Sequence, residues 1–145
     1  MNTKEAAKKW ELSQRVVRDR CKSGLIPFAE KRGTRWDIPD DAIKPIITPH
    51  FAYELLQYIE VVTEGGVPSL PQNAEEAMTF LSNIGFCTQF QKDGKLLNAI
   101  RKVSITSLGR KFINNLYPQE TIKEGIKVGI SQHLGYYREK QIKGQ

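Results

Sequence analysis

The chain has 145 residues, a net charge of +6 and a pI of about 9.4. With 39% hydrophobic and 26% charged residues it is globular in composition, with room for one ordinary domain or two small ones, and it has no apolar run near the ~20 residues that span a bilayer. The first ten residues hold no apolar core, which argues against a signal peptide and for the cytoplasm, and Cys21 and Cys87 stand far apart in no CxxC pair, which argues against a disulfide framework or a zinc site.

The basic excess is unevenly spread. Residues 1–47 hold 11 Lys and Arg against 7 Asp and Glu, a net +4; residues 48–145 hold 11 against 9, a net +2. A basic surface attracts polyanions, so the first third is where a nucleic-acid contact is expected.

Asn2 followed by Glu5 is a capping box for a helix starting near Thr3. Ala6, Ala7 and Trp10 form its apolar edge, and Lys4, Lys8 and Lys9 lie off that edge. Glu11-Leu12 makes a turn, with Leu12 plugging the corner. Ser13 then caps a second helix over 14–22, and Gly24 ends it. At 100° per residue, Gln14, Arg15, Arg18, Asp19 and Lys22 share one face, opposite Val16, Val17 and Cys21. Such a face can bond phosphates and base edges, Arg favouring guanine and Gln adenine. Asp19 either accepts from cytosine or holds Arg15 or Lys22. The plainer alternative is a solvated helix face.

A hairpin is expected next. Leu25 to Ala29 reads as a short apolar strand and Lys31-Arg32-Gly33-Thr34 as a turn, with glycine where a positive φ is cheap. The return strand puts Thr34, Trp36 and Ile38 on one face and Arg35 and Asp37 on the other. Lys31, Arg32 and Arg35 then project toward a phosphate backbone. Pro39 to Ile43 reads as a short helix with acids at its positive end, stopped by Pro45.

Glu5-Ala6-Ala7, Ser13, Val17, Gly24-Leu25-Ile26-Pro27 and Arg35-Trp36-Asp37-Ile38-Pro39 together resemble the pattern of the excisionase/MerR-like winged helix-turn-helix DNA-binding domains over residues 2–45. The match covers about a third of the chain. The resemblance implies a recognition helix in the major groove and a wing on the adjacent minor groove or backbone. Arg20 stands where that pattern has an apolar residue. It would snorkel to a phosphate or pair with Asp40 or Asp41.

Residues 44–49, with two prolines, form an extended connector. Thr48 and Pro49 start a helix over 49–63, with Phe51, Leu55, Leu56, Ile59 and Val62 on one side and Tyr53 and Tyr58 flanking it; Gly65-Gly66 ends it. Val67 to Pro71 is loop. Asn73 with Glu76 is a second capping box, opening a helix over 74–84 that buries Ala77, Met78, Phe80, Leu81 and Ile84. A strand over 86–91, a turn at 92–95 with the Asp93-Gly94 signal and a strand within 96–105 follow. Thr106 or Ser107 opens a further helix that ends before Pro118.

This order weakly resembles a second winged-helix module, but Glu75 and Glu76 on the 74–84 helix suit a phosphate contact poorly. A dimerisation or partner-binding platform is the expected role. Lys92, Lys95, Arg101, Lys102, Arg110 and Lys111 keep a second DNA contact in play. The tail over 119–143 spaces Ile122, Ile126, Ile130, Leu134 and Tyr137 along one helical face, interrupted by Gly125, Gly129 and Gly135. It is expected to pack on its own domain or on a second subunit.

The expected fold class is thus mostly α with small β-hairpin wings (α+β). It comprises an N-terminal winged helix-turn-helix over 1–47, a second winged-helix-like domain over 48–118 and a C-terminal helix over 119–145. No catalytic constellation is legible: His50 and His133 stand alone, and there is no GxSxG, phosphate loop or GxGxxG. No enzyme, cofactor or metal is expected. The expected function is sequence-specific double-stranded DNA binding, as a small prokaryotic, phage or mobile-element transcriptional regulator, a repressor, or an excisionase-like architectural factor, with a homodimer formed through the second half or the tail. The alternative is a bifunctional protein whose C-terminal half inhibits a protein partner, a toxin or a host defence effector, while the N-terminal half autoregulates its operon.

Overall fold

A computed structural model describes residues 1–67, 69–92 and 94–117; the tail expected over 119–143 lies outside the described residues, as does Asp93. The described chain is mostly helical, with one two-stranded antiparallel hairpin. No helix among the described residues is long and apolar enough to cross a membrane.

The first helices follow from their caps. α1 (Thr3–Trp10) carries the reciprocal capping box, with Glu5 N donating to Asn2 Oδ1 and Asn2 N donating to Glu5 Oε1, both at 2.8 Å. Glu11 takes a left-handed conformation at φ 58° and turns the chain. Ser13 Oγ accepts from Val16 N at 3.1 Å and opens α2 (Gln14–Ser23), which Gly24 closes at φ 90°. The apolar edges of α1 and α2 face each other: Ala6, Ala7, Trp10, Val17 and Cys21 form a small core with Ile26 and Ile38.

The hairpin is β1 (Glu30–Arg32) and β2 (Arg35–Asp37), turning at Gly33-Thr34, with Gly33 at φ 66°. Its register pairs Glu30 with Asp37, Lys31 with Trp36 and Arg32 with Arg35. Ile38 N donates to Met1 O at 2.8 Å and ties the return strand to the start of α1.

Two expectations fail here. Residues 25–29 form no strand. Leu25 and Ile26 are both buried, but in different cores: Ile26 joins the α1–α2 core, Leu25 that of the second half. Residues 39–43 form a turn, closed by Ala42 N on Pro39 O at 3.1 Å, and no helix. Pro45 biases Lys44 away from the α region, which leaves too few residues to nucleate one.

In the second half Thr48 Oγ1 caps α3 (Pro49–Thr63), accepting from Phe51 N at 3.1 Å. α3 packs on α4 (Ala74–Asn83) and α5 (Leu96–Arg101) through Leu55, Leu56, Ile59 and Val62. α6 (Ser107–Leu116) returns against α2. Phe86 and Phe112 stack at 4.9 Å between ring centres. Gly109 is required by close approach: a Cβ there would lie 2.2 Å from Phe86 O.

Asn73 precedes α4 as expected, but its left-handed backbone (φ 63°) leaves its side chain making no cap bond, so the second capping box is absent. The expected second hairpin is reduced to one isolated bridge, Cys87 with Ile105, and residues 96–101 are helix. Leu96, Leu97, Ile100 and Val103 recur at helical spacing and bury one side of that turn.

Candidate nucleic-acid interface

α2 is the best-held exposed helix of the first half. Ser13 fixes its start, Gly24 its end, and Val17 and Cys21 its back. Asn115 on α6 also donates through Nδ2 to the Ser23 and Lys22 carbonyls, at 3.0 and 3.3 Å, which satisfies acceptors that a helix end leaves open.

The polar face stands outward. Gln14, Arg15, Arg18, Asp19 and Lys22 are all exposed. Among the described residues, none of the five enters an ion pair, so Asp19 holds neither Arg15 nor Lys22. Three cations and two hydrogen-bonding groups are therefore presented together on a rigid scaffold, the condition that base-edge recognition needs.

The hairpin divides its cations. Lys31 lies within β1 rather than in the turn, and as the cross-strand partner of Trp36 it sits on the Trp36 face, its Nζ 5.9 Å from that ring's centre. Arg32 and Arg35 share the opposite face with Glu30 and Asp37. Arg32 is engaged there, 3.2 Å from Glu30 and 3.5 Å from Asp37. Arg35 is exposed and outside every ion pair among the described residues. The hairpin thus offers Arg35 and Lys31 more freely than Arg32.

Among the described residues Arg20 forms no ion pair with Asp40 or Asp41. It is half-buried and lines a cavity of about 410 Å³ with Thr48, Phe51, Asn73 and Glu76 of the second half, so it turns away from the α2 polar face. Burial lowers its pKa, partly opposed by Asp19 beside it. Its buried Nε has no hydrogen-bond partner among the described residues. Asp40, one of the two expected partners, lies 3.2 Å from the Met1 nitrogen instead.

The second-half cations are dispersed. Lys92 pairs with Glu75 at 3.3 Å and Arg110 with Glu60 at 3.0 Å. Glu75 and Glu76 are exposed on α4, beside a groove of about 810 Å³ that includes the exposed Ile43 and Ile46 with Phe80 and Leu96. Lys111 is exposed on α6 and meets the first half across a cleft that also holds Lys22. Charge spacing gave no signal for that juxtaposition, because 89 positions separate the two lysines in the chain.

Cys21 and Cys87 are buried, and burial pushes both thiols up to about 11. They remain protonated and are poor nucleophiles and ligands. No family model, no curated protein and no solved structure matches the chain.

Proposed function

We propose that the chain is a sequence-specific double-stranded DNA-binding protein. The helix–turn–helix–hairpin order of residues 3–37 is read as a winged helix-turn-helix, with α2 entering the major groove and the hairpin lying on the adjacent backbone or minor groove. The observation that carries this reading is the α2 face: Gln14, Arg15, Arg18, Asp19 and Lys22 are exposed together, unpaired among themselves, on a helix held at both ends and along its back.

Lys22, Lys31 and Arg35 supply phosphate contacts, with Arg32 joining only by exchanging its carboxylate partners. A reader of this size buries little DNA by itself, so a homodimer formed through the second half or the tail would double the contact on a repeated site. The function then falls to transcriptional regulation, as a repressor, or to an excisionase-like architectural role on mobile DNA.

A second reading has its own observation. The groove beside α4 exposes Ile43 and Ile46 near Phe80 and Leu96, rimmed by Glu75 and Glu76. That surface suits a basic, apolar protein partner better than a phosphate backbone, so the second half would act on a protein while the first half binds its own operator.

Selection of bound duplexes from a random pool, followed by footprinting, tests the main reading. It should return one short motif protected over about one helical turn per reader. Enrichment of no motif at all would sink it.

A further inference from the structure

Phe28 is placed as folding alone would not place it. Ala29 N donates to Ile26 O at 3.3 Å, closing a four-residue turn with Pro27 second and Phe28 third. Phe28 has φ 66°. Proline second and a positive φ third is the type II pattern, and its third position calls for glycine or asparagine. A bulky residue there is a backbone outlier. It is also 76% exposed, the most exposed of the large hydrophobic residues described. The turn thus bears a conformational cost at a residue whose ring gains almost no burial to offset it.

The surroundings name what offsets it. Phe28 lines a cleft of about 410 Å³ between the end of α2, the hairpin and α6. Lys22, from the end of α2, and Lys111, from α6, both line it, and Trp36, Pro27 and Phe112 contribute its apolar lining. Lys31 lies over Trp36. Glu30, the acid in the cleft, is 3.2 Å from Arg32, which offsets its charge. An exposed aromatic in a cleft lined by two lysines, one of them the last residue of the α2 polar face, is complementary to a polyanion with stackable bases.

We propose that Phe28 is a wedge: it inserts at a base-pair step of duplex DNA beside the segment read by α2, while Lys22 and Lys111 hold the flanking phosphates. The left-handed turn thrusts the ring out, and the second half enters the DNA site through Lys111. Insertion partly unstacks the step and bends the duplex, so a flexible pyrimidine–purine step is preferred there. This inference rests on the reading of α2 as the DNA-contacting helix.

The test uses the full chain and the duplex it selects, with 2-aminopurine at steps flanking the α2 footprint. The wild-type chain should raise the fluorescence at one step, which reports unstacking. Phe28→Asn keeps a residue that tolerates the left-handed turn, so the fold stays; it should abolish that rise and weaken binding roughly 5- to 150-fold, the range for losing one stacked base. Phe28→Trp should keep both. Lys111→Ala should keep the fluorescence rise while lowering the salt slope by about one phosphate. An unchanged signal and affinity in Phe28→Asn, while Arg15→Ala and Arg18→Ala still abolish specific binding, overturns the wedge alone. Failure to select any duplex, or unchanged binding in those two arginine variants, overturns the α2 reading and the wedge with it. Loss of binding to a protein partner in Phe28→Asn, with DNA affinity intact, also overturns it.

Discussion

Leu25→Ala tests how the two halves are joined. Leu25 is fully buried in the core of the second half, although it follows directly on α2. Its neighbour Ile26 is equally buried in the α1–α2 core. Truncating a buried leucine removes transfer free energy and leaves a cavity, about 2–5 kcal/mol in all. The upper half of that range applies, because Leu25 N is tied to Arg20 O at 3.0 Å and Asn115 of α6 holds the Lys22 and Ser23 carbonyls, so the backbone cannot follow a collapse. Native domains have roughly 5–15 kcal/mol of stability, so the variant loses a large share and melts roughly 10–20 °C lower. Both tryptophans lie in the first half, at Trp10 and Trp36, so their fluorescence reports that half while far-UV circular dichroism reports all the helices. Urea unfolding should show both signals moving to lower midpoint together. A loss below about 1 kcal/mol, or a tryptophan transition that stays put while the dichroism moves, would refute the joining role.

Gly109→Ala should cost about 1–3 kcal/mol or more, since the new Cβ would meet Phe86 O at 2.2 Å and Ile105 Cγ2 at 2.9 Å; an unchanged melting temperature would contradict that packing. Arg20→Met keeps the stem and removes the buried Nε, so it should hold or raise stability by up to about 1 kcal/mol in the same assay; a clear loss would show that the guanidinium is satisfied. Burial raises the Cys21 and Cys87 thiols to about 11 against roughly 8.5 in an unfolded chain, so their contribution is complete below that lower value and is lost as pH rises toward 11. The stability of the wild-type chain should therefore fall more steeply above pH ~9 than that of a Cys21→Ala, Cys87→Ala chain; parallel curves would contradict the burial.

The sequence made helix starts legible because caps are local chemistry. Asn2 with Glu5, Ser13, Thr48 with Pro49, and Thr106 each form a cap bond within three residues, and each appears where the pattern put it. The exposed face of α2 was legible for the same reason: its periodicity is local. What depends on distant partners was hidden. Leu25-Ile26-Pro27 looks like one apolar strand, yet consecutive side chains enter different cores, and only the return of α6 onto α2 decides this. Residues 96–105 contain β-branched residues after a hairpin signal, and burial against α3 selects helix over 96–101 instead. Asn73 has the right type for a cap, but the incoming loop sets its backbone left-handed. The same limit applies to the candidate site: the α2 face was readable, whereas the exposed Phe28 and the meeting of Lys22 with Lys111 exist only in three dimensions.

If the α2 face reads DNA sequence, as proposed, an Arg15→Ala, Arg18→Ala chain loses the ratio of specific to non-specific affinity. Each bidentate base contact discriminates by about 1–3 kcal/mol. The wild-type chain should bind its selected duplex far more tightly than a scrambled one at the same salt. The double variant should lose most of that ratio while its circular dichroism spectrum and its binding to the scrambled duplex change little. A ratio that survives the double substitution would rule out base reading by the α2 face.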